Sequence, residues 1–350
     1  MQGTFPSKRS HARWHIFFLA ILVSVACCVP LQAQLEAPDP SPTFTFSQFK
    51  PGEPLWLIAY GDMRFTNPMV TKGTNPRVRK WLAEKVGQEH PQALLLTGDM
   101  PFIGGDYRDW LDFHQETAIW RQNHLLVLPT IGNHEVYGGA EAGLENYFRG
   151  FPEIQDHRYY SALLGSVEVI SLDSASAAGP STPQGEWFAA QLSHLPAQVQ
   201  FVLILYHTPW VVDRQTQMFT HLPTKEAISL RNILEAHLQG LHARVVVFNG
   251  HIHNYERFER LGVEYIITGG GGAEPYPLLY RGKADLYRDP GFPVYHYLTL
   301  EIRNGQMVAK MWKVADPDAP ELTVVQKDEF TLSVQAPASE PISAAPARNH

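Results

Sequence analysis

The sequence predicts an α/β fold, and two observations carry that reading. From Leu55 onward, apolar runs rich in β-formers alternate with amphipathic helical runs, the rhythm of an α/β sheet. Five of those apolar runs then deliver Asp, Asn or His from their C-terminal ends. They lead into Tyr60-Gly61-Asp62, Thr97-Gly98-Asp99, Gly132-Asn133-His134-Glu135, His207, and Asn249-Gly250-His251-Ile252-His253-Asn254.

The elements follow in order. A strand over 55–60 precedes a helix over 76–89, with Pro76 in its first turn and Val78, Trp81, Leu82 and Val86 on one face. A strand over 93–97, a helix over 107–121 and a strand over 125–129 continue the alternation. Segments 159–163 and 167–172 read as paired strands about a turn at Gly165, and a short helix over 186–194 carries Trp187, Phe188 and Leu192. A strand over 201–206, a helix over 225–238 and strands over 244–248, 263–268, 294–302 and 306–314 complete the domain, with one further strand open at 322–326. No repeat of 20–50 residues is visible.

Composition bounds the function. The 350 residues are 44% hydrophobic and 18% charged, with a formal charge of −7, which suits one large or two ordinary globular domains. An acidic balance argues against nucleic acid as a partner and leaves a small phosphorylated substrate open, because a bound cation sets its own local field. Lys8, Arg9 and Arg13 precede an apolar run over 16–28 and a small-residue site ending at Ala33, so residues 1–33 read as a signal peptide. The run is short for a membrane span, so no stable membrane insertion is expected after cleavage; a lipoprotein anchored through Cys27 is the lesser reading. Both cysteines, Cys27 and Cys28, lie in this segment, so the exported chain, periplasmic or secreted, has no disulfide and no thiolate ligand. Its remaining 25 basic and 35 acidic residues give a formal −10. Residues 34–54 form an extended lead-in, 55–315 the domain, and 316–350 a mostly disordered tail, rich in Pro, Ala, Ser and Glu.

Asp62, Asp99, Asn133, His207, His251 and His253 fall beyond the carboxyl ends of strands, where open α/β sheets bind ligands. Carboxylate, amide oxygen and imidazole suit Fe, Zn or Mn. Taken singly, a Gly-Asp turn or a lone histidine is a turn residue or a satisfied core residue, and His90, His114 and His237 keep that reading. Five motifs in one order do not. Together they resemble the calcineurin-like metallophosphoesterases over about 55–315, and Asn254-Tyr255-Glu256-Arg257 after the last histidines points to the purple acid phosphatase branch.

That resemblance implies a four-layer α/β/β/α sandwich with mixed sheets. It also implies two divalent or trivalent ions (Fe, Zn or Mn) and hydrolysis of phosphate mono- or diesters by a metal-activated hydroxide. Asp99 would bridge the ions, Asp62 and His253 would complete the first site, and Asn133, His207 and His251 would hold the second. His134 would protonate the leaving oxygen, with Glu135 orienting or charge-tuning its imidazole.

Two positions depart from the family's pattern. Arg64 stands where many members have a histidine ligand, and Phe102 where the purple members have a ligating tyrosine; neither side chain can ligate. Water could fill the gap, Tyr60 or Asp106 could reach in, only one ion could be tightly held, or Arg64 could grip a phosphate oxygen rather than make an ion pair behind the site. The same departures leave a second function open, a non-catalytic or weakly active phosphate-ligand-binding protein with a degraded first metal site. The run Gly269–Gly272 lacks the helix of a phosphate-binding loop and reads as a tight loop at the cleft. Gly104-Gly105 and Gly138-Gly139 read as hinges at its mouth, which Trp210 and Tyr276 would line.

Overall fold

β-branched and aromatic residues pack well on a pleated surface, and strands covered on both faces read as continuous apolar runs. Phe201–Tyr206 and Val263–Thr268 are such strands, with all six residues of each buried. The computed structural model describes residues 43–213, 221–277 and 281–334, all within one compact unit. The signal segment with Cys27 and Cys28, and residues 335–350 of the expected tail, lie outside the described residues.

The first half of the chain contains β1 (Thr43–Thr45), β2 (Leu55–Tyr60), α1 (Pro76–Gln88), β3 (Ala93–Leu96), α2 (Tyr107–Glu116), α3 (Ala118–Gln122), β4 (Leu126–Pro129), α4 (Asn133–Val136) and α5 (Ala140–Gly150). β5 (Tyr160–Leu164), β6 (Val167–Leu172), α6 (Pro183–Ser193), β7 (Phe201–Tyr206), α7 (Lys225–His237) and β8 (Arg244–Asn249) follow. β9 (Tyr255–Arg260), β10 (Val263–Thr268), β11 (His296–Arg303), β12 (Gln306–Val314) and β13 (Val324–Ser333) close the series.

Two mixed sheets result. One has the order β1-β5-β6-β7-β8-β10-β9, the other β13-β12-β11-β2-β3-β4. β2, β3 and β4 are parallel neighbours, as are β6, β7, β8 and β10. Antiparallel strands extend both sheets. Strand periodicity of two then assigns the layers. Phe201, Leu203 and Leu205 of β7 join one core with Leu57, Leu298 and Leu300 of the facing sheet and Val78, Leu82 and Val86 of α1. Val202, Ile204 and Tyr206 join a second core with Trp187 and Phe188 of α6 and Leu230 and Leu234 of α7. Helices therefore cover the outer faces of two stacked sheets, an α/β/β/α sandwich.

Differences from the expected elements have local causes. The helix expected over 107–121 breaks at Thr117, whose hydroxyl donates to the Phe113 carbonyl at 2.6 Å and offers the backbone an alternative to the next turn. β9, the sequence YERFER, carries too many charges to read as a strand. Partners satisfy it: Arg257 pairs with Glu264 at 2.9 Å and Asp328 at 2.8 Å. The tail expected from 316 is corrected over β13, which pairs with β12 along its length and takes its order from that ladder rather than from apolar area. Within the lead-in, β1 pairs with β5. α5 follows Gly138 and Gly139, whose φ values of +82° and +134° serve as an entry turn and not as hinges alone.

One buried ion pair ties α1 and α2 to the loop after β2. The fully buried Arg79 donates to Glu116 through Nε at 3.0 Å and Nη2 at 2.6 Å, and to the carbonyls of Arg64 at 3.0 Å and Thr66 at 2.9 Å. Removing one partner of a buried pair strands the other's charge. Glu116→Ala is expected to cost about 3–5 kcal/mol, read as a lowered urea midpoint; a cost under 1 kcal/mol would show that water already screens the pair.

Glu168, 2% exposed on β6, is pushed up by burial from its ordinary 4.5 to about 7. The folded state therefore binds the proton more tightly, so stability is fullest below pH 4.5 and falls as pH rises through 7. Glu168→Gln should raise stability at pH 8 by up to about 3 kcal/mol, at about 1.4 kcal/mol per unit, and leave it unchanged near pH 4. An equal gain at both pH values would assign the effect to packing.

Candidate metal centre

The parallel strands of both sheets end at one place. Asp62 follows β2, Asp99 follows β3, Asn133 opens α4 after β4, His207 follows β7, and His251 and His253 follow β8. Three of these turns need a left-handed backbone: φ is +58° at Asp62, +55° at Asp99 and +69° at His251. Such residues cost on the order of 1–3 kcal/mol each and persist only where their surroundings fix them. Here Asp62 N donates to Gly98 O at 2.9 Å, and Phe65 N to Met100 O at 2.7 Å. Glycines give the carboxylates room: a Cβ on Gly132 would lie 2.4 Å from Asp99 Oδ1, and one on Gly250 2.5 Å from Asp62 Oδ2.

All six expected ligands meet. His207 Nε2 is 3.1 Å from Asp99 Oδ1 and 3.1 Å from Asn133 Oδ1. Asn133 Oδ1 is 3.0 Å from His251 Nδ1, and His253 Nε2 is 3.5 Å from Asp62 Oδ1. Donor atoms of Asp62, Asp99 and His207 all lie within 4.8 Å of one another. Backbone carbonyls aim two of the rings: His207 Nδ1 bonds Thr97 O at 2.8 Å, and His253 Nδ1 bonds Glu274 O at 2.7 Å. Each presents Nε2 inward, the usual support behind a metal-binding imidazole.

The donor set fits a cation. His253 is 2% exposed, and its buried Nε2 has no hydrogen-bond partner among the described residues. Burial pushes the Asp62 carboxyl up to about 8, partly opposed by the nearby His207. Burial acts the same way on Asp99, but His207 beside it prevails and holds that carboxylate well below its ordinary range. Burial disfavours charge on His207 too, yet the Asp99 carboxylate pushes it up to about 9. A proton between Asp99 and His207 thus stands where a metal would compete for the same lone pairs. Burial drives His251 down to about 3, which keeps its imidazole neutral and available as a donor.

His134 lies beside this cluster. Its backbone N–H donates to Asp99 Oδ1 at 2.9 Å, its Nδ1 meets Phe102 O at 2.5 Å, and Nε2 lies 3.9 Å from Asp99 Oδ2. Phe102 and Tyr137 flank the ring at 5.8 and 5.6 Å. Glu135 requires a correction. Its fully buried carboxylate accepts N–H groups from Met100 at 2.7 Å, Asp99 at 3.0 Å and Gly132 at 2.6 Å. It clamps the Asp99 turn to the Asn133 turn rather than orienting the His134 imidazole.

Arg64 reaches the site, with Nη2 3.4 Å from Asp99 Oδ2 and its guanidinium 5.9 Å from the Phe102 ring centre. The two alternative oxygens do not: Asp106 caps α2 and pairs with Arg108, and Tyr60 packs on Trp120 in the core. Trp210 is buried against Phe188 and Tyr206, which corrects its expected place on the cleft wall. Tyr276 does line the site, stacked on His253 at 4.3 Å. Sequence reasoning missed His221, 5.1 Å from His251 and 4.7 Å from Tyr276, and the carbonyls of Thr97 and Glu274; none has a sequence signature. Gly269–Gly272 is buried beside the cluster, where a Cβ on Gly269 would meet Ile252 O at 2.2 Å. A cavity of about 480 Å³ lies at the opposite end of the strands, between Val199, Leu241 and Val263, and takes no part in the site.

Comparison with known proteins converges on one family. The model of the calcineurin-like phosphoesterases matches residues 55–255. Probable purple acid phosphatase 20 of Arabidopsis thaliana is 30% identical over 192 residues, 50% of this chain and 41% of that protein. Purple acid phosphatase 15 of the same plant is 29% identical over 246 residues, 66% of this chain and 42% of its own length. The chain thus spans about two fifths of the length of these relatives. Among solved structures, purple acid phosphatase PPD1 of yellow lupin (Lupinus luteus) superposes with a TM-score of 0.63 at 17% identity, covering 81% of this chain and 54% of that one. GAP50 of Plasmodium gives a TM-score of 0.60 at 14% identity over 81% and 90%.

The Glu135 clamp can be tested directly. Glu135→Ala leaves three buried N–H groups unpaired and frees the Asp99 turn, so Mn²⁺ affinity by calorimetry should fall roughly 10–100-fold. Unchanged affinity in a folded variant would show that Asp99 is held without it.

Proposed function

The chain belongs to the calcineurin-like phosphoesterase family, and from that premise we propose that it is an exported metal-dependent phosphoesterase acting on phosphate mono- or diesters of a small molecule. The observation that carries this reading is the meeting of six side chains from five strand ends, among them a buried His253 Nε2 with no hydrogen-bond partner among the described residues. Asp99, Asn133, His207 and His251 would hold one ion, and Asp62 and His253 would be the protein's donors towards a second. Ions bound there supply Lewis acidity towards a phosphoryl oxygen and a water nucleophile of lowered pKa.

The remaining chemistry belongs to this chain's own residues. His134 is the general acid. With Nδ1 engaged by the Phe102 carbonyl, its Nε2 is the nitrogen that carries a proton to the leaving oxygen. Burial lowers its pKa against the pull of Asp99, so the acid form gains as pH falls, in keeping with an acid phosphatase. Arg64 turns a planar fork of donors towards the same space and suits a phosphate oxygen. Export rests on the positive segment and apolar run before Ala33, and no helix among the described residues is long and apolar enough to cross a membrane. The formal −7 favours a small phosphorylated substrate over nucleic acid.

A second reading, a phosphate-ligand-binding protein without turnover, draws on the contact between Arg64 and Asp99. Metal analysis together with hydrolysis of 4-nitrophenyl phosphate and bis(4-nitrophenyl) phosphate separates the two. Turnover that a chelator abolishes supports the enzyme, whereas metal binding without turnover favours the binder. In the active protein, His134→Ala should lower kcat by about 10²–10⁴-fold with metal content unchanged; loss of metal would make His134 a ligand.

A further inference from the structure

We propose that Arg64 is a resident cation standing in for one of the two ions, so that this chain holds a single metal at Asp99, Asn133, His207 and His251. This inference rests on the metal-centre reading above and deepens it.

The donors fall into two unequal groups. Asp99 Oδ1, Asn133 Oδ1, His207 Nε2 and His251 Nδ1 are linked by separations of 3.0–3.1 Å and form a four-donor pocket, enough to hold one ion that expands its coordination to take a water. The other group has Asp62 and His253, 3.5 Å apart, with Asp62 within 4.8 Å of the Asp99 and His207 donors, and whatever Asp99 can share. Asp99 gives Oδ1 to His207 and directs Oδ2 to Arg64 Nη2 at 3.4 Å. The oxygen that a first-site ion would need therefore faces a guanidinium. A divalent ion at Asp99 Oδ2 would meet that positive charge at close range in a site poor in water.

Arg64 is held in this position. Its backbone is left-handed, with φ +53°. Its N–H donates to Asp99 O at 3.1 Å, and its carbonyl accepts from Arg79 Nη1 at 3.0 Å. The side chain is 15% exposed, and its buried Nε has no hydrogen-bond partner among the described residues. Phe102, the other residue that departs from the family's pattern, supplies a ring at 5.9 Å, within the range at which an aromatic face attracts a cation. The two departures are thus one device, a cation and its platform, in place of the one further donor that the family's histidine or tyrosine would give. In the reaction the guanidinium clamps a phosphoryl oxygen as the displaced ion would, through paired N–H groups.

The test counts metal, so it stands apart from turnover. The full chain, stripped with a chelator, is titrated with Mn²⁺ by calorimetry and by electron paramagnetic resonance. Wild type should bind one equivalent and give the six-line signal of an isolated ion. Arg64→His removes the charge and adds an imidazole; it should raise the count from one equivalent to two, with the broadened signal of a bridged pair. Arg64→Gly, compatible with positive φ, should gain a weaker second equivalent. Two equivalents of similar affinity in wild type would overturn the proposal, as would a single equivalent in both variants when circular dichroism shows them folded. If neither variant folds, the wild-type count alone decides. A chain that binds metal but hydrolyses no phosphate ester would overturn the enzymatic reading and leave this count untouched.

Discussion

The buried carboxylate of Asp99 is the constraint on which the site depends. It is fully excluded from solvent, yet His207 Nε2, the His134 backbone N–H and Arg64 Nη2 all converge on its two oxygens. Burying an anion is costly unless positive charge and hydrogen bonds surround it. Each group that meets Asp99 comes from a different strand end, so the charge can be satisfied only when both sheets are stacked. Glu135, whose three accepted N–H groups include that of Asp99 itself, fixes the turn from below. Site and fold are therefore one problem: the carboxylate cannot be placed without the sandwich, and the turns around it take strained backbones that only the sandwich sustains.

Much of this was legible in the residues. Phe201–Tyr206, Val263–Thr268 and Gln306–Val314 are strands with the bounds their apolar runs predict. The meeting of the six polar side chains was legible because parallel strands place their next residues at a common edge, so a polar residue just past an apolar run has a known address. What escaped was supplied by partners distant in sequence. β9 is a strand because Glu264 and Asp328 neutralise Arg257. β13 is ordered by β12. The aim of His207 and His253 comes from carbonyls of Thr97 and Glu274, which any residue could provide. Trp210 was misplaced for the same reason: an aromatic just after His207 could face either the cleft or the second core, and only Phe188 and Tyr206 decide which.

Glu135 teaches a narrower lesson. Its position next to His134 suggested a partner for the imidazole, as carboxylate–histidine pairs are common. Yet a residue at the third position of α4, with Gly132 before the helix, is placed to reach back to backbone N–H groups at the helix start. Helix-capping geometry explains its contacts better than sequence adjacency does.

The loop from Asp62 to Thr66 joins the deepest part of the core to the most reactive part of the cleft. Asp62 faces the histidines, Arg64 faces Asp99, and the carbonyls of Arg64 and Thr66 are both held by Arg79, itself locked to Glu116. A cation in the core thus sets the backbone from which a cation in the site projects. Substitution of Arg64 removes a charge from the site without touching that support, because Arg79 binds the carbonyl and not the side chain. The backbone at this position is therefore fixed from the core, independently of the side chain that projects from it into the site.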